Sequence, residues 1–336
     1  MNILFSCIGR RGYIADYFRP HLESGDYMIG TSNTRWTPGF EHCDRNYVLP
    51  DIDSPNYISA VKELCDQESV SAILSFYDPD VVALARHYDE FLEMGVCPVM
   101  PRAEVAEICF DKYRTFQYLR GMNLDTADTY VHLDDAFTAL QSGRLDYPLF
   151  VKPRRGFGSQ LTFRARNERE LVAYYHYAPD MIIQEELTGD VYDFDILNDL
   201  AGRVLSVVPW RKFRSRLGET EQAQTCADKA LIDLGIRLST ALGHAGPLDA
   251  DLFVDGGQIS ILEINLRFGG GYPVSHLAGA DFPAKIVKMI RGEPVDSDIG
   301  NFEDGVIMMK DNLVIGGPES SYFERLCANR RGTRAA

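Results

Sequence analysis

The residues with the clearest chemistry lie between positions 249 and 267. Residues 249–258 read DADLFVDGGQ and residues 259–267 read ISILEINLR, two β-type runs about a glycine turn, which is a hairpin pattern. A three-residue loop at 256–258 sets Asp251 directly opposite Glu263. Strand alternation then puts Asn265 on the same face, two residues further on. Three oxygen-bearing side chains converging on one face suit a hard cation such as Mg²⁺, which takes one or two carboxylates and completes its shell with phosphate oxygens. The alternative is a solvated polar face. Glu263 and Asn265 interrupt a run of Ile and Leu, however, and polar groups in such a run need a reason, so a metal is the expectation.

Residues 151–160 (VKPRRGFGSQ) form a strand that ends in Lys152 and enters a basic glycine turn. Such a turn, with Gly156 and Ser159, can bring backbone N–H groups close to phosphate oxygens while Lys152, Arg154 or Arg155 supplies charge. The P-loop order is absent, and an ordinary surface hairpin is the alternative. Residues 181–189 (MIIQEELTG) are an apolar strand that turns abruptly polar at Gln184, Glu185 and Glu186 before Leu187. This edge can offer backbone donors and acceptors to a flat base, or simply leave the core. Arg211, Lys212, Arg214 and Arg216 make the strong basic cluster of the chain, a candidate triphosphate or carboxylate site against the reading of a solvated face.

Gly9-Arg10-Arg11-Gly12 follows the first strand and opens a helix, the place where open α/β sheets bind ligands. It lacks the G-x-G-x-x-G order of a dinucleotide site, so Arg10 and Arg11 are candidates for an organic substrate, or solvent-facing residues of a tight turn. Asp78 ends another parallel strand at the same sheet edge and either faces an amine or caps a helix. Tyr272 and Ser275 follow the glycines 269–271 after the metal strand and are expected to shape a substrate pocket. His276 reads as a structural hydrogen-bonding residue.

These groups need a scaffold, and the pattern supplies one. The first third alternates strand and helix: strands at 2–7, 27–31, 70–76 and 96–100, with helices at 11–22, 80–94 and 103–120, a parallel α/β rhythm. A boundary falls near residue 110. From 181 on, strands dominate at 181–186, 192–198, 204–210, 248–254 and 259–265 around one long helix at 227–242, predicting an α+β unit on an antiparallel sheet. Residues 329–336 read as a flexible tail.

With 336 residues and 45% hydrophobic content the chain is long enough for two or three domains with sizeable cores. Thirty-four Lys and Arg against 49 Asp and Glu give a net charge of −15, which argues against a nucleic-acid binder. No segment approaches the ~18 apolar residues of a membrane span, and no signal peptide is evident, so a cytoplasmic protein is expected. Seven cysteines without metal-ligand spacing read as reduced structural thiols.

Taken in order, residues 3–12, Asp111-Lys112-Tyr113, Val151-Lys152-Pro153, residues 184–189 and residues 262–271 resemble the ATP-grasp superfamily, in the branch of the carbamoyl phosphate synthase large chain. The resemblance implies an α/β and α+β ATP-grasp fold: an N-terminal parallel domain at 1–110, a lid at 111–185 and a C-terminal domain at 186–328. It implies that Lys112 and Lys152 hold ATP phosphates and that residues 184–187 form the adenine hinge. Asp251, Glu263 and Asn265 would hold magnesium, with manganese as a substitute, and Arg267 would act on the phosphoryl group. Gly156, Ser159 and Arg214 join the ATP set. Where the family places a ribose-binding Glu this chain has Val191, and Asp190 or Asp193 takes over, with Asp193 preferred by alternation. The implied activity is an ATP-dependent carboxylate–amine ligase working through an acylphosphate. The rivals are a phosphotransferase on a small carboxylate and a non-catalytic nucleotide-binding module. The expected partners are small-molecule carboxylate and amine substrates, with a homodimer allowed and neither nucleic acid nor membrane.

Overall fold

The computed structural model describes residues 1–156, 158, 160–216, 218–318 and 322. The first unit is a parallel sheet of β1 (Asn2–Ser6), β2 (Tyr27–Ser32), β3 (Arg45–Val48), β4 (Ala72–Ser75) and β5 (Cys97–Pro98), in the order β3-β2-β1-β4-β5. Its inner strands are apolar almost without interruption, as strands covered on both faces must be. The cover is α1 (Gly12–Phe18), α2 (Tyr57–Gln67), α3 (Asp78–Ala85) and α4 (Tyr88–Glu93).

Three helices expected to be continuous are broken. The segment read as one helix at 80–94 is α3 and α4, because Asp89 and Glu90 start a new first turn, where acidic residues favour a helix N-terminus. The segment read as 103–120 is α5 (Ala103–Phe110) and α6 (Lys112–Gly121). Between them Asp111 leaves the helical conformation (φ −95°, ψ 103°), and its carboxylate accepts from the N–H groups of Tyr113 and Arg114, a side-chain N-cap. Helix 11–22 likewise ends at Phe18, and a 3₁₀ turn containing Pro20 replaces its second half.

The second unit is a four-stranded antiparallel sheet of β6 (Thr129–Tyr130), β7 (Leu149–Pro153), β8 (Phe163–Ala165) and β9 (Met181–Glu185), ordered β6-β9-β7-β8 and covered by α7 (Leu133–Gln141) and α8 (Glu168–Tyr175). The third is a six-stranded antiparallel sheet of β10 (Asp190–Asn198), β11 (Val204–Arg216), β12 (Glu219–Thr225), β13 (Gly246–Asp255), β14 (Gln258–Asn265) and β15 (Ile307–Met309), ordered β14-β13-β10-β11-β12-β15. It packs with α9 (Lys229–Leu242), α10 (Pro273–Leu277) and α11 (Phe282–Ile290). Two hydrophobic cores join the parallel and six-stranded sheets, Leu4 with Phe194 in one and Phe5 with Phe268 in the other. The four-stranded sheet has its own small core around Leu149, Val151 and Ile183. The expected α/β and α+β architecture is therefore borne out.

Candidate active site

Strands β13 and β14 join through Gly256 and Gly257, at φ 57° and 91°, the positive values a two-residue hairpin turn requires. That turn alone would put Asp251 opposite Leu262 and send Glu263 to the other face. A β-bulge at Leu262 corrects the register: Leu252 pairs with Ile261, but Asp251 pairs with Glu263 and Asp249 with Asn265. The expected facing of Asp251 and Glu263 is present; the three-residue loop from which it was reasoned is not.

On the other side of β13, Asp193 pairs with Asp251 and Asp195 with Asp249, so five carboxylates and Asn265 share one patch. Two cations hold it together. Lys212 Nζ lies 3.0 Å from Asp193 and donates to Asp251, while Arg267 donates to Asp249 at 3.0 Å and to Asp78 at 3.2 Å. Asn265 also donates to Asp249, at 3.2 Å. Burial pushes Asp193 up and the Asp249 charge adds to it; Asp251 is held low by Lys212 despite its burial. Asp195 is pushed up to about 7 by burial and by Asp249.

The facing wall carries lysines. Lys152, on buried strand β7, is 8% exposed and makes no hydrogen bond or ion pair among the described residues. Burial lowers it to about 8, against a partial offset from Glu263. Lys112, the first residue of α6, donates to the Gly156 carbonyl at 2.7 Å and sits 3.4 Å from Glu263. Arg154 and Arg155 are not free for phosphate: both bind the Asp111 carboxylate, at 2.7 and 2.6 Å. Between the walls runs a cleft of about 370 Å³ lined by Lys112, Lys152, Gly156, Gln184, Glu185, Leu187, Lys212, Asp251 and Glu263.

Several expected residues stand elsewhere. Glu186 turns out of the hinge and takes a two-pronged bond from Arg164, at 2.7 and 2.8 Å. Val191 lines the cleft, whereas Asp193, the acid expected at the ribose, is deep in the carboxylate patch and Asp190 pairs with Arg211, so neither acid is among the residues lining the cleft. Register shifts on both sides of Arg214 turn it toward Glu221 at 3.4 Å, and Lys212 and Ser215 face the cleft instead. Tyr272 is buried, accepting from the Phe282 N–H and donating to the Ala280 carbonyl. Ser275 is buried on Asp195 at 2.6 Å. Both serve the core, not a pocket. Asp78, expected to face an amine or cap a helix, starts α3 and accepts from Arg267 at 3.2 Å. Arg11 is bound to Glu219 at 2.8 Å and to the Phe76 and Phe268 carbonyls, so it ties the parallel sheet to the six-stranded one. Ser159 lies outside the described residues.

Asp249 and Glu219 are the residues that sequence reasoning passed over, and Lys212, read as one of the basic cluster, takes the place expected for Arg214. Alternation gave a signal for one of them, since whatever aligns Asp251 also aligns Asp249. No group of three or more His, Cys, Asp or Glu among the described residues forms a ready metal centre. Magnesium does not need one, because two carboxylates and an amide oxygen plus phosphate oxygens satisfy it; Asp251, Glu263 and Asn265 fit that demand.

A family model described as PylC-like, N-terminal domain matches residues 3–99, and one described as ATP-grasp in the biosynthetic pathway with Ter operon matches residues 177–312. The carbamoyl phosphate synthase arginine-specific large chain of Geobacillus stearothermophilus is 21% identical over 84% of this chain and 28% of its own length. The D-alanine–D-alanine ligase of Neisseria meningitidis serogroup A is 25% identical over 47% of this chain and 57% of its own. The chain thus spans well under two thirds of either relative. The biotin carboxylase of Campylobacter jejuni, solved as a β,γ-ATP complex, superposes with a TM-score of 0.72 at 16% identity, over 90% of this chain and 73% of that one.

The chain has the ATP-grasp fold.

The resemblance read from the sequence is borne out by these matches. In this fold the cleft lies between the four-stranded sheet and the face of β13 and β14. No helix among the described residues is long and apolar enough to cross a membrane.

Proposed function

We propose that the chain is an ATP-dependent carboxylate–amine ligase. The observation that carries this reading is Lys152: a lysine buried without a protein partner is costly, and here it faces a cleft whose opposite wall is carboxylate. An anionic ligand that also brings a metal satisfies both walls at once, and a magnesium–nucleotide does so.

Lys112 and Lys152 would take the phosphates, and the cleft edge at Gln184, Glu185 and Leu187 the base. Asp251, Glu263 and Asn265 would hold Mg²⁺, or Mn²⁺ on the same oxygen donors. The metal, when bound, neutralises phosphate charge. Arg267, locked by Asp78 and Asp249, presents a fixed cation to the developing charge. A substrate carboxylate attacks the γ-phosphorus and ADP leaves; an amine then displaces phosphate from the acylphosphate and an amide forms. One relative supports this class, being by name a D-alanine–D-alanine ligase. We assign residues 1–110, 111–185 and 186–328 to the three parts of the fold, in a cytoplasmic enzyme with a homodimer as an allowed state.

Hydroxylamine trapping tests the reading. With Mg·ATP and a carboxylate panel, hydroxylamine should yield a hydroxamate together with ADP and phosphate. AMP as the product would refute the acylphosphate route, and ADP without hydroxamate would favour a phosphotransferase.

A further inference from the structure

The parallel sheet carries a second cavity, of about 590 Å³, lined by the loops after β1, β2, β3 and β4. It opens where the strand order turns: β1 lies between β2 and β4, and the chain leaves β1 and β4 toward opposite ends of the sheet. Open α/β sheets take ligands at this position. The cavity meets the cleft along β12 and the residue before it: Glu219 lines the cavity while the preceding Gly218 lines the cleft.

Most of its charges are engaged. Arg11 is bound to Glu219, and Asp51 accepts from Asn33 at 2.6 Å. Two are not: Arg10 and Asp53 are exposed, line the cavity, and make no hydrogen bond or ion pair among the described residues. Leu49, Ile52 and Phe76 supply apolar wall between the polar loops. A concave site with apolar walls and a few convergent polar groups is the general form of a small-molecule site. Here the convergent groups free for a ligand are one cation and one anion, which match a ligand bearing both charges and leave any singly charged ligand facing an unmatched group.

Resting on the ligase reading, we propose that one of the two substrates is a free amino acid, bound in this cavity as its zwitterion. Its carboxylate lies on the Arg10 guanidinium and its ammonium on Asp53, with its side chain against the apolar wall. Arg10 and Asp53 are specificity residues outside the nucleotide cleft, and Arg11, their neighbour in sequence or space, is not one of them.

The test uses the full chain with Mg·ATP. ADP release is measured with the twenty L-amino acids singly and in pairs, and with the N-acetyl derivative and decarboxylated amine of each active one. An active amino acid should lose most of its effect in both derivatives. Its apparent KM should rise roughly tenfold or more in Arg10→Ala and in Asp53→Asn, the worth of one charge-assisted contact, while KM for ATP moves far less. Arg10→Lys should recover part of the loss, Arg10→Ala should abolish preference over the decarboxylated amine, and Asp53→Asn should abolish preference over the N-acetyl form. Amino-acid-stimulated ADP release with wild-type KM in both variants would overturn the inference and leave the ligase reading standing. Stimulation only by compounds lacking an amine or a carboxylate would overturn it equally. No ADP release with any compound, in a chain shown by calorimetry to bind ATP, would remove the ligase reading and this inference with it.

Discussion

The cleft between the two antiparallel sheets and the cavity at the edge of the parallel sheet solve opposite problems. In the cleft the charges sit on regular strands and are buried or half-buried: Lys152 on β7, Asp251 on β13 and Glu263 on β14. In the cavity they sit on exposed loops, as Arg10 and Asp53 do. Burial raises the energy of every unmatched charge, so the cleft is committed to a ligand of fixed chemistry. Exposure makes the cavity charges inexpensive to change, which suits recognition of one substrate among many. A second contrast sets two buried cations apart: Arg267 has two carboxylate partners, and Lys152, which lines the cleft, has none among the described residues.

That contrast is best broken by removing each cation. Arg267→Ala strands Asp78 and Asp249, and breaking such a buried pair should cost about 3–5 kcal/mol of stability, read as a lowered midpoint in urea. Lys152→Ala strands nothing, so its midpoint should stay at or above the wild-type value while nucleotide affinity falls. Equal destabilisation of the two variants would erase the distinction.

Next in size is Glu263→Gln. It removes a carboxylate from the bulged face of β14 and should lower turnover at least ~10²-fold, about 2.7 kcal/mol of transition-state stabilisation, with the fold kept. Near-wild-type ADP release would sever the metal from this face. The same face can be tested through its register: inserting one alanine after Leu262 should turn Glu263 and Asn265 out of line with Asp251 and abolish activity, whereas deleting Leu262 removes the bulge, leaves Asp251 opposite Glu263 and should keep activity.

A smaller effect concerns pH. Because burial lowers Lys152 to about 8, its charge is lost as pH rises through that value, so kcat/KM for ATP should fall on the alkaline side from about pH 8. An ordinary lysine would hold its charge to about 10. Lys152→Arg, charged throughout, should lack that limb; a limb that persists in this variant belongs to another group.

Much of this molecule was legible in the residues. The α/β alternation of the first third, the antiparallel second half, the polar residues within 259–267 and the strand that ends in Lys152 all follow from local pattern, because strand period and apolar runs are written in neighbouring positions. The ATP-grasp resemblance came from the same stretches in the same order. Other features were not local. Asp111 was read only as part of a motif, yet its capping of α6 breaks the expected helix and places Lys112 at the bend, a choice made by a carboxylate that also gathers Arg154 and Arg155 from 43 and 44 residues away. Arg10 and Arg11 are indistinguishable by type and neighbours, and only the approach of β12 makes one a tie and leaves the other free.

The sequence by itself determined which side chains could serve the reaction and which strands would carry them, since composition and period are properties of single segments. Only the tertiary structure decided which of them meet. The bulge at Leu262 sets the facing of Asp251 and Glu263, and register shifts around Arg214 hand its expected place to Lys212. Packing draws Tyr272 and Ser275 into the core. Each of these depends on how two distant segments are offset against one another, and a strand's own residues leave that offset open until its partner is in place.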